Sequence, residues 1–103
     1  MKIKEKNVFV TGGSRGIGKG IAESLAKEGY NVAFSYSSNL NSASHIVKEL
    51  SRYGTKIMAV QMNVESRASV KSAIQEVMVK MGEISILINN AGIAQEKPFD
   101  TIT

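Results

Sequence analysis

Cysteine is absent from the 103-residue sequence, and histidine, aspartate and proline occur once each, as His45, Asp100 and Pro98. Without cysteine there is no disulfide frame, no thiol nucleophile and no cysteine-held zinc. His45 falls off the apolar stripe of its predicted helix, so it reads as a solvated side chain rather than a ligand or a base. Glu65, Glu76 and Glu83 are dispersed at spacings that form no paired-carboxylate site, and no metal centre is expected. Long hydrophobic runs are lacking too. Met1 to Lys6 is basic, but the apolar run behind it is too short for a signal peptide, and no stretch nears membrane-spanning length. The chain therefore reads as soluble and cytoplasmic, with no membrane partner.

Acidic residues are the scarcer charge, 9 against 13 Lys and Arg, which gives a formal net charge of +4. Lys2, Lys4 and Lys6 form the only basic cluster, and none of the three Tyr and three Phe interleaves with it. A nucleic-acid surface needs a concentrated basic face, so that partner class is excluded. The charge serves solubility, with a slight pull on anionic ligands. An apolar content of 43% and a charged content of 21% are ordinary for one globular domain.

Glycine is what the chain has in the right place. Thr11-Gly12-Gly13-Ser14-Arg15-Gly16-Ile17-Gly18 follows the apolar run Val8, Phe9, Val10 and leads into Lys19 to Lys27. There Ile21, Ala22, Leu25 and Ala26 recur at helical spacing. Strand, glycine turn and helix in that order make an anion site, because backbone N–H groups and the helix dipole both favour negative charge there. Glycine admits a pyrophosphate to the main chain where a Cβ would block it.

The remaining pattern alternates strands with helices. Strand one covers about Asn7 to Thr11 and helix one about Gly16 to Glu28, stopped by Gly29. Strand two is Asn31 to Tyr36, and Ser37-Ser38-Asn39 is a polar turn. Helix two runs from Ser42 to Tyr53, with Ala43, Ile46, Val47 and Leu50 on one face. Strand three is Lys56 to Met62. Ser66 caps helix three, whose stripe is Val70, Ile74, Val77, Met78 and Met81. Met58, Met62, Met78 and Met81 are assigned to the core. Strand four is Ile84 to Ile88, Asn89 to Pro98 is a loop, and Phe99 to Thr103 approaches a further helix.

This order predicts a doubly wound parallel sheet of about four strands and three helices, in strand order 3-2-1-4. Strand four is apolar at nearly every position, as expected of a strand covered on both faces and flanked by a neighbour on its far side. The chain thus looks like half of a larger sheet.

Thr11, Gly12, Gly16 and Gly18 at Thr-Gly-x-x-x-Gly-x-Gly spacing, with Asn89-Asn90-Ala91-Gly92 after strand four, resemble the short-chain dehydrogenase/reductase family over the whole chain. The pattern is not Gly-x-Gly-x-x-Gly, since position 21 is Ile. Within the family, Gly-Gly-Ser-Arg-Gly-Ile-Gly and Asn63-Val64 resemble the 3-oxoacyl-[acyl-carrier-protein] reductases, although sugar, steroid and polyol dehydrogenases share much of this half. The resemblance implies the N-terminal half of a Rossmann-type fold, a nicotinamide dinucleotide as cofactor and carbonyl reduction by hydride transfer. It also implies a small carbonyl or acyl-carrier substrate and a homo-oligomer for the complete enzyme.

By this resemblance Gly12, Gly16, Ile17 and Gly18 form the cofactor turn. Ser14 either donates its hydroxyl to a phosphate or ribose oxygen or simply forms the turn. Arg15 would pair with the 2′-phosphate of NADP, which a guanidinium fork fits. An NAD site places a carboxylate about 20 residues past the glycines, at the end of strand two. Tyr36 and Ser37 stand there instead, and Asp100 is remote. NADP(H) is therefore preferred and NAD(H) possible. Asn63 and Val64 would meet the adenine. Many relatives carry Asp at position 63, but Asn keeps an acceptor and adds a donor. Asn90, Ala91 and Gly92 would border the nicotinamide ribose, and Asn89 either joins them or braces the sheet.

The family's catalytic groups are a Tyr-x-x-x-Lys pair, a serine and a supporting asparagine. Tyr30, Tyr36 and Tyr53 are followed four positions on by Phe34, Leu40 and Ile57, so no catalytic residue is assigned. The expectation is a cofactor-binding portion truncated before the catalytic half and inactive alone. Two alternatives stand beside it: a non-catalytic dinucleotide-binding module, and a remnant that pairs with a homologous subunit through its open sheet edge.

Overall fold

A computed structural model describes residues 6–12 and 16–90. The elements run β1 (Asn7–Thr11), α1 (Gly16–Lys27), β2 (Asn31–Tyr36), α2 (Leu40–Leu50), a single 3₁₀ turn (Ser51–Tyr53), β3 (Ile57–Gln61), α3 (Arg67–Met81) and β4 (Ile86–Asn89). The four strands form one sheet in the order β3-β2-β1-β4. Every pairing is parallel, with Val8 opposite Val32 and Ile86, and Phe34 opposite Ala59. No helix among the described residues is long and apolar enough to cross a membrane.

The period of two along each strand divides the core into two layers. On one face Val8, Val10, Val32 and Phe34 pack with Ala22 and Ala26 of α1 and with Ala43, Ile46 and Leu50 of α2. On the other, Phe9, Ala33, Val60 and Met62 pack with Ala73 and Val77 of α3. Helices on both faces make the sheet doubly wound, and β1 is buried along its whole length. Lys19 of α1 pairs with Glu49 of α2 at 3.6 Å, and Glu23 of α1 pairs with Arg52 of the 3₁₀ turn at 3.8 Å. The Tyr53 hydroxyl donates to Glu23 Oε2 at 3.0 Å and accepts from Arg52. That hydrogen bond is the main cause that pushes the Arg52 guanidinium above its ordinary value.

Several boundaries differ from the sequence expectation. α2 begins two residues earlier, because Asn39 Oδ1 accepts from the Ser42 amide at 2.9 Å and serves as N-cap. It ends at Leu50, and a 3₁₀ turn completes the predicted span. β4 begins at Ile86, since its register is set by Val8; Ile84 packs instead against the α3 layer.

Met78 is 45% exposed rather than in the core. The buried stripe of α3 passes through Ala73 and Val77, with Val70, Ile74 and Met81 flanking it, and Met78 lies past its edge. Met62 is buried, and Met58 and Met81 pack against the same layer.

Among the described residues, β4 is covered on one face only. Ile86 and Ile88 turn toward the α1–α2 layer, whereas Leu87 is 56% exposed. α3 packs mainly over β3 and β2, and β4 pairs with β1 alone among the described residues.

The amino ends of the strands are joined by side-chain amides. Asn7 Nδ2 donates to the carbonyls of Met81 and Glu83, each at 2.9 Å, so β1 holds the end of α3. Asn7 Oδ1 accepts from Asn31 Nδ2 at 2.9 Å, and Asn31 Oδ1 accepts from the Lys56 amide at 3.0 Å. One chain of amides therefore spans β1, β2 and the approach to β3. Replacing Asn7, which is only 9% exposed, strands two carbonyls and a donor. Asn7→Ala is expected to lower stability by about 2 kcal/mol, read as a shift in urea midpoint at constant slope; an unchanged midpoint contradicts this role.

Candidate functional site

The opposite, carboxyl rim carries the glycine turn. β1 ends at Thr11, whose hydroxyl lies 3.1 Å from Asn89 Oδ1 and 3.4 Å from the Ile88 carbonyl, tying the ends of β1 and β4 together. Gly12 follows with φ +71°, a left-handed backbone that favours glycine. Its N–H donates to Ser35 Oγ of β2 at 2.8 Å, and its carbonyl accepts from Asn90 Nδ2 at 3.1 Å. Both main-chain polar groups of Gly12 are thus engaged from opposite sides of β1.

Gly18 lies in the first turn of α1 and is buried. A Cβ there would collide with the Gly12 carbonyl and stand 2.6 Å from Asn90 Nδ2. The helix start therefore approaches the β1 exit more closely than any side chain permits. No acidic residue occupies the first turn of α1, α2 or α3, so nothing on those turns opposes an anion at the rim.

The other predicted residues line the same rim. Tyr36 is half-buried against the α1–α2 layer, and its carbonyl accepts from the Met62 amide at 2.9 Å. Ser37 is exposed, with its carbonyl held by Gln61 Nε2 at 2.9 Å. Asn63 is exposed; its amide donates to Ser69 Oγ at 2.8 Å, and its Oδ1 accepts from the Glu65 amide at 3.0 Å. The side-chain NH₂ of Asn63 is the group left to face outward. Ile17 and Val64 are exposed apolar side chains, each following a strand's carboxyl end.

Ser14, Arg15, Ala91 and Gly92 lie outside the described residues. His45 is exposed, as expected. No group of three or more potential metal ligands occurs among the described residues.

Three residues at this rim escaped the sequence reading. Ser35 was legible only as a polar interruption of an apolar strand. Gln61 gave no signal. Leu40, 59% exposed at the start of α2, looked like an ordinary helix residue.

The two glycines in α1 predict opposite outcomes. Gly18→Ala must displace the Gly12 carbonyl or α1 itself and is expected to cost about 2 kcal/mol. Gly20 is exposed inside the same helix with open space around it, so Gly20→Ala should stabilise by about 0.5–1 kcal/mol through helix propensity alone. Thermal melts of the two variants check both signs.

The family model described as short chain dehydrogenase matches residues 6–103. A 3-oxoacyl-[acyl-carrier-protein] reductase of Staphylococcus epidermidis is 44% identical over 91 residues, covering 88% of this chain and 37% of the relative. A blue fluorescent protein from a metagenomic library, solved in complex with NADPH, superposes with a TM-score of 0.86 at 38% identity, over 100% of this chain and 42% of that one. A short chain dehydrogenase from Burkholderia cenocepacia, solved in complex with NADP, gives a TM-score of 0.85 at 35% identity, again over 100% and 42%. The chain spans well under half the length of these relatives. With its parallel sheet in the order β3-β2-β1-β4, helices on both faces and the glycine turn at the carboxyl rim, this chain belongs to the short-chain dehydrogenase family, on a Rossmann-type fold.

Proposed function

We propose that residues 1–103 are the NADP(H)-binding portion of an NADPH-dependent oxidoreductase that reduces a carbonyl group, a 3-oxoacyl-carrier thioester being the substrate class to try first. The observation that carries this reading is the approach of Gly18 to the Gly12 carbonyl, a cradle that any Cβ would fill. A dinucleotide fits it: the start of α1 is free of acidic side chains and lies at the carboxyl rim of a parallel sheet, where such ligands bind.

In this reading Gly12 and Gly18 shape the cradle, and Gly16 and Ile17 open the helix over the pyrophosphate. Ser14 and Arg15 belong to the phosphate side by sequence. Tyr36 and Ser37 border the adenine ribose, and Asn63 and Val64 the adenine. Asn90 holds the Gly12 carbonyl, and Ala91 and Gly92 are assigned to the nicotinamide ribose by the family resemblance of the sequence alone. The nicotinamide supplies the hydride when bound; the residues of this chain bind and orient it.

The preference for NADP rests on charge. No carboxylate stands at the end of β2, where Tyr36, Ser37, Ser38 and Asn39 follow one another, and the glycine stretch carries Arg15 in its sequence, a guanidinium suited to a 2′-phosphate. The two structural relatives solved with NADPH and NADP agree with that chemistry. NADPH is expected to bind about tenfold tighter than NADH at fixed salt, the worth of one charge-assisted contact. Arg15→Ala should close most of that gap. Titration of both coenzymes against both chains is the test, and tighter NADH binding overturns the assignment.

The 103-residue chain alone is expected to bind coenzyme without turnover, because an aligned acid and a donor to the carbonyl oxygen each supply large rate factors that no residue here is assigned to provide. Steady NADPH oxidation by the purified chain with a 3-oxoacyl thioester contradicts this.

A further inference from the structure

We infer that Ser35 is a positioning residue for the coenzyme cradle; the inference rests on the reading of the glycine turn as a dinucleotide site. Ser35 is 2% exposed in a strand whose inner residues are otherwise apolar, so its hydroxyl occupies a costly place. That hydroxyl accepts the Gly12 N–H at 2.8 Å.

Gly12 joins two peptide planes. Ser35 holds the one entering from Thr11, and Asn90 Nδ2 holds the one leaving toward residue 13. Two planes fixed from β2 and from the end of β4 determine the turn of the chain at φ +71°. The Gly12 carbonyl so oriented is the surface against which Gly18 packs. A hydroxyl in the floor of β2 therefore sets where α1 begins, and the start of α1 is where the pyrophosphate is bound. Because the Gly12 N–H is already used by Ser35, it is not a phosphate donor, and Ser35 acts through the main chain without touching the ligand.

The consequence separates Ser35 from Arg15. Pyrophosphate is common to both coenzymes, so loosening its cradle weakens both alike. In the full chain, Ser35→Ala should weaken NADPH and NADH by the same factor, about tenfold, the size of one lost hydrogen bond. Ser35→Thr, which keeps the hydroxyl on a β-branched side chain suited to a strand, should return both affinities to within about twofold of the parent. Ser35→Cys keeps the shape with a poorer acceptor and gives an intermediate loss, which covers the case in which Ser35→Ala does not fold. Asn7→Ala is the structural control: it weakens the opposite rim and should leave both dissociation constants unchanged below its melting range.

Titrations of NADPH and NADH by fluorescence read all of these. Equal losses rescued by Thr support the inference. Unchanged affinities in the Ala and Cys variants, a changed NADPH-to-NADH ratio, failure of Thr to rescue, or equal losses in Asn7→Ala each overturn it while leaving the coenzyme site standing. A parent chain that takes up neither coenzyme overturns the functional reading, and this inference with it.

Discussion

The geometry of the carboxyl rim depends on one close approach, that of Gly18 to the carbonyl of Gly12. A helix normally keeps a side chain's distance from the strand that feeds it. Here α1 begins almost on top of the β1 exit, and the main chain itself becomes the wall of the site. That closeness demands a glycine at position 18 for space and a left-handed residue at position 12 for direction. It also demands that the Gly12 carbonyl be held still, which Asn90 does from β4's end.

Around that contact the sheet provides rigidity on both sides. β1 is buried along its length and is the strand from which the turn departs, with β2 and β4 as its immediate neighbours. Those same neighbours send Ser35 and Asn90 to Gly12. The order β3-β2-β1-β4 therefore does more than pack helices on two faces: it brings residues from distant parts of the sequence to one peptide. Ile17, Leu40 and Val64 are exposed apolar side chains that follow β1, β2 and β3 in the sequence.

Most of the architecture was legible in the residues. Apolar runs alternating with helical stripes gave the four strands and three helices, and their order implied the parallel sheet. The glycine spacing marked the turn because a Cβ is a yes-or-no feature, readable from residue type. What stayed hidden depended on partners far away in sequence. The start of β4 is set by its register with Val8, and Asn39 suits a turn as well as a cap. The exposure of Leu87 depends on what packs against that face of β4. Met78 departs from the stripe because the buried line of α3 runs through Ala73 and Val77 and leaves it past the edge. The duty of Ser35 could not be read, since a polar residue in an apolar strand announces a partner without naming it. Asn90 was assigned to the cofactor by resemblance; its amide is engaged with Gly12.

The two ends of the molecule differ in how they are fastened. Neutral amides of Asn7 and Asn31 bind the strand beginnings to α3 and to the approach to β3. The outer helical layer is instead joined by Lys19–Glu49 and Arg52–Glu23, pairs of opposite charge near solvent. Ionic strength screens the second kind of fastening and barely touches the first. Concentrated salt thus reaches only the rim of the outer layer, where these pairs lie near solvent, while the apolar packing of α1 on α2 and the amide ties at the strand beginnings stay in place.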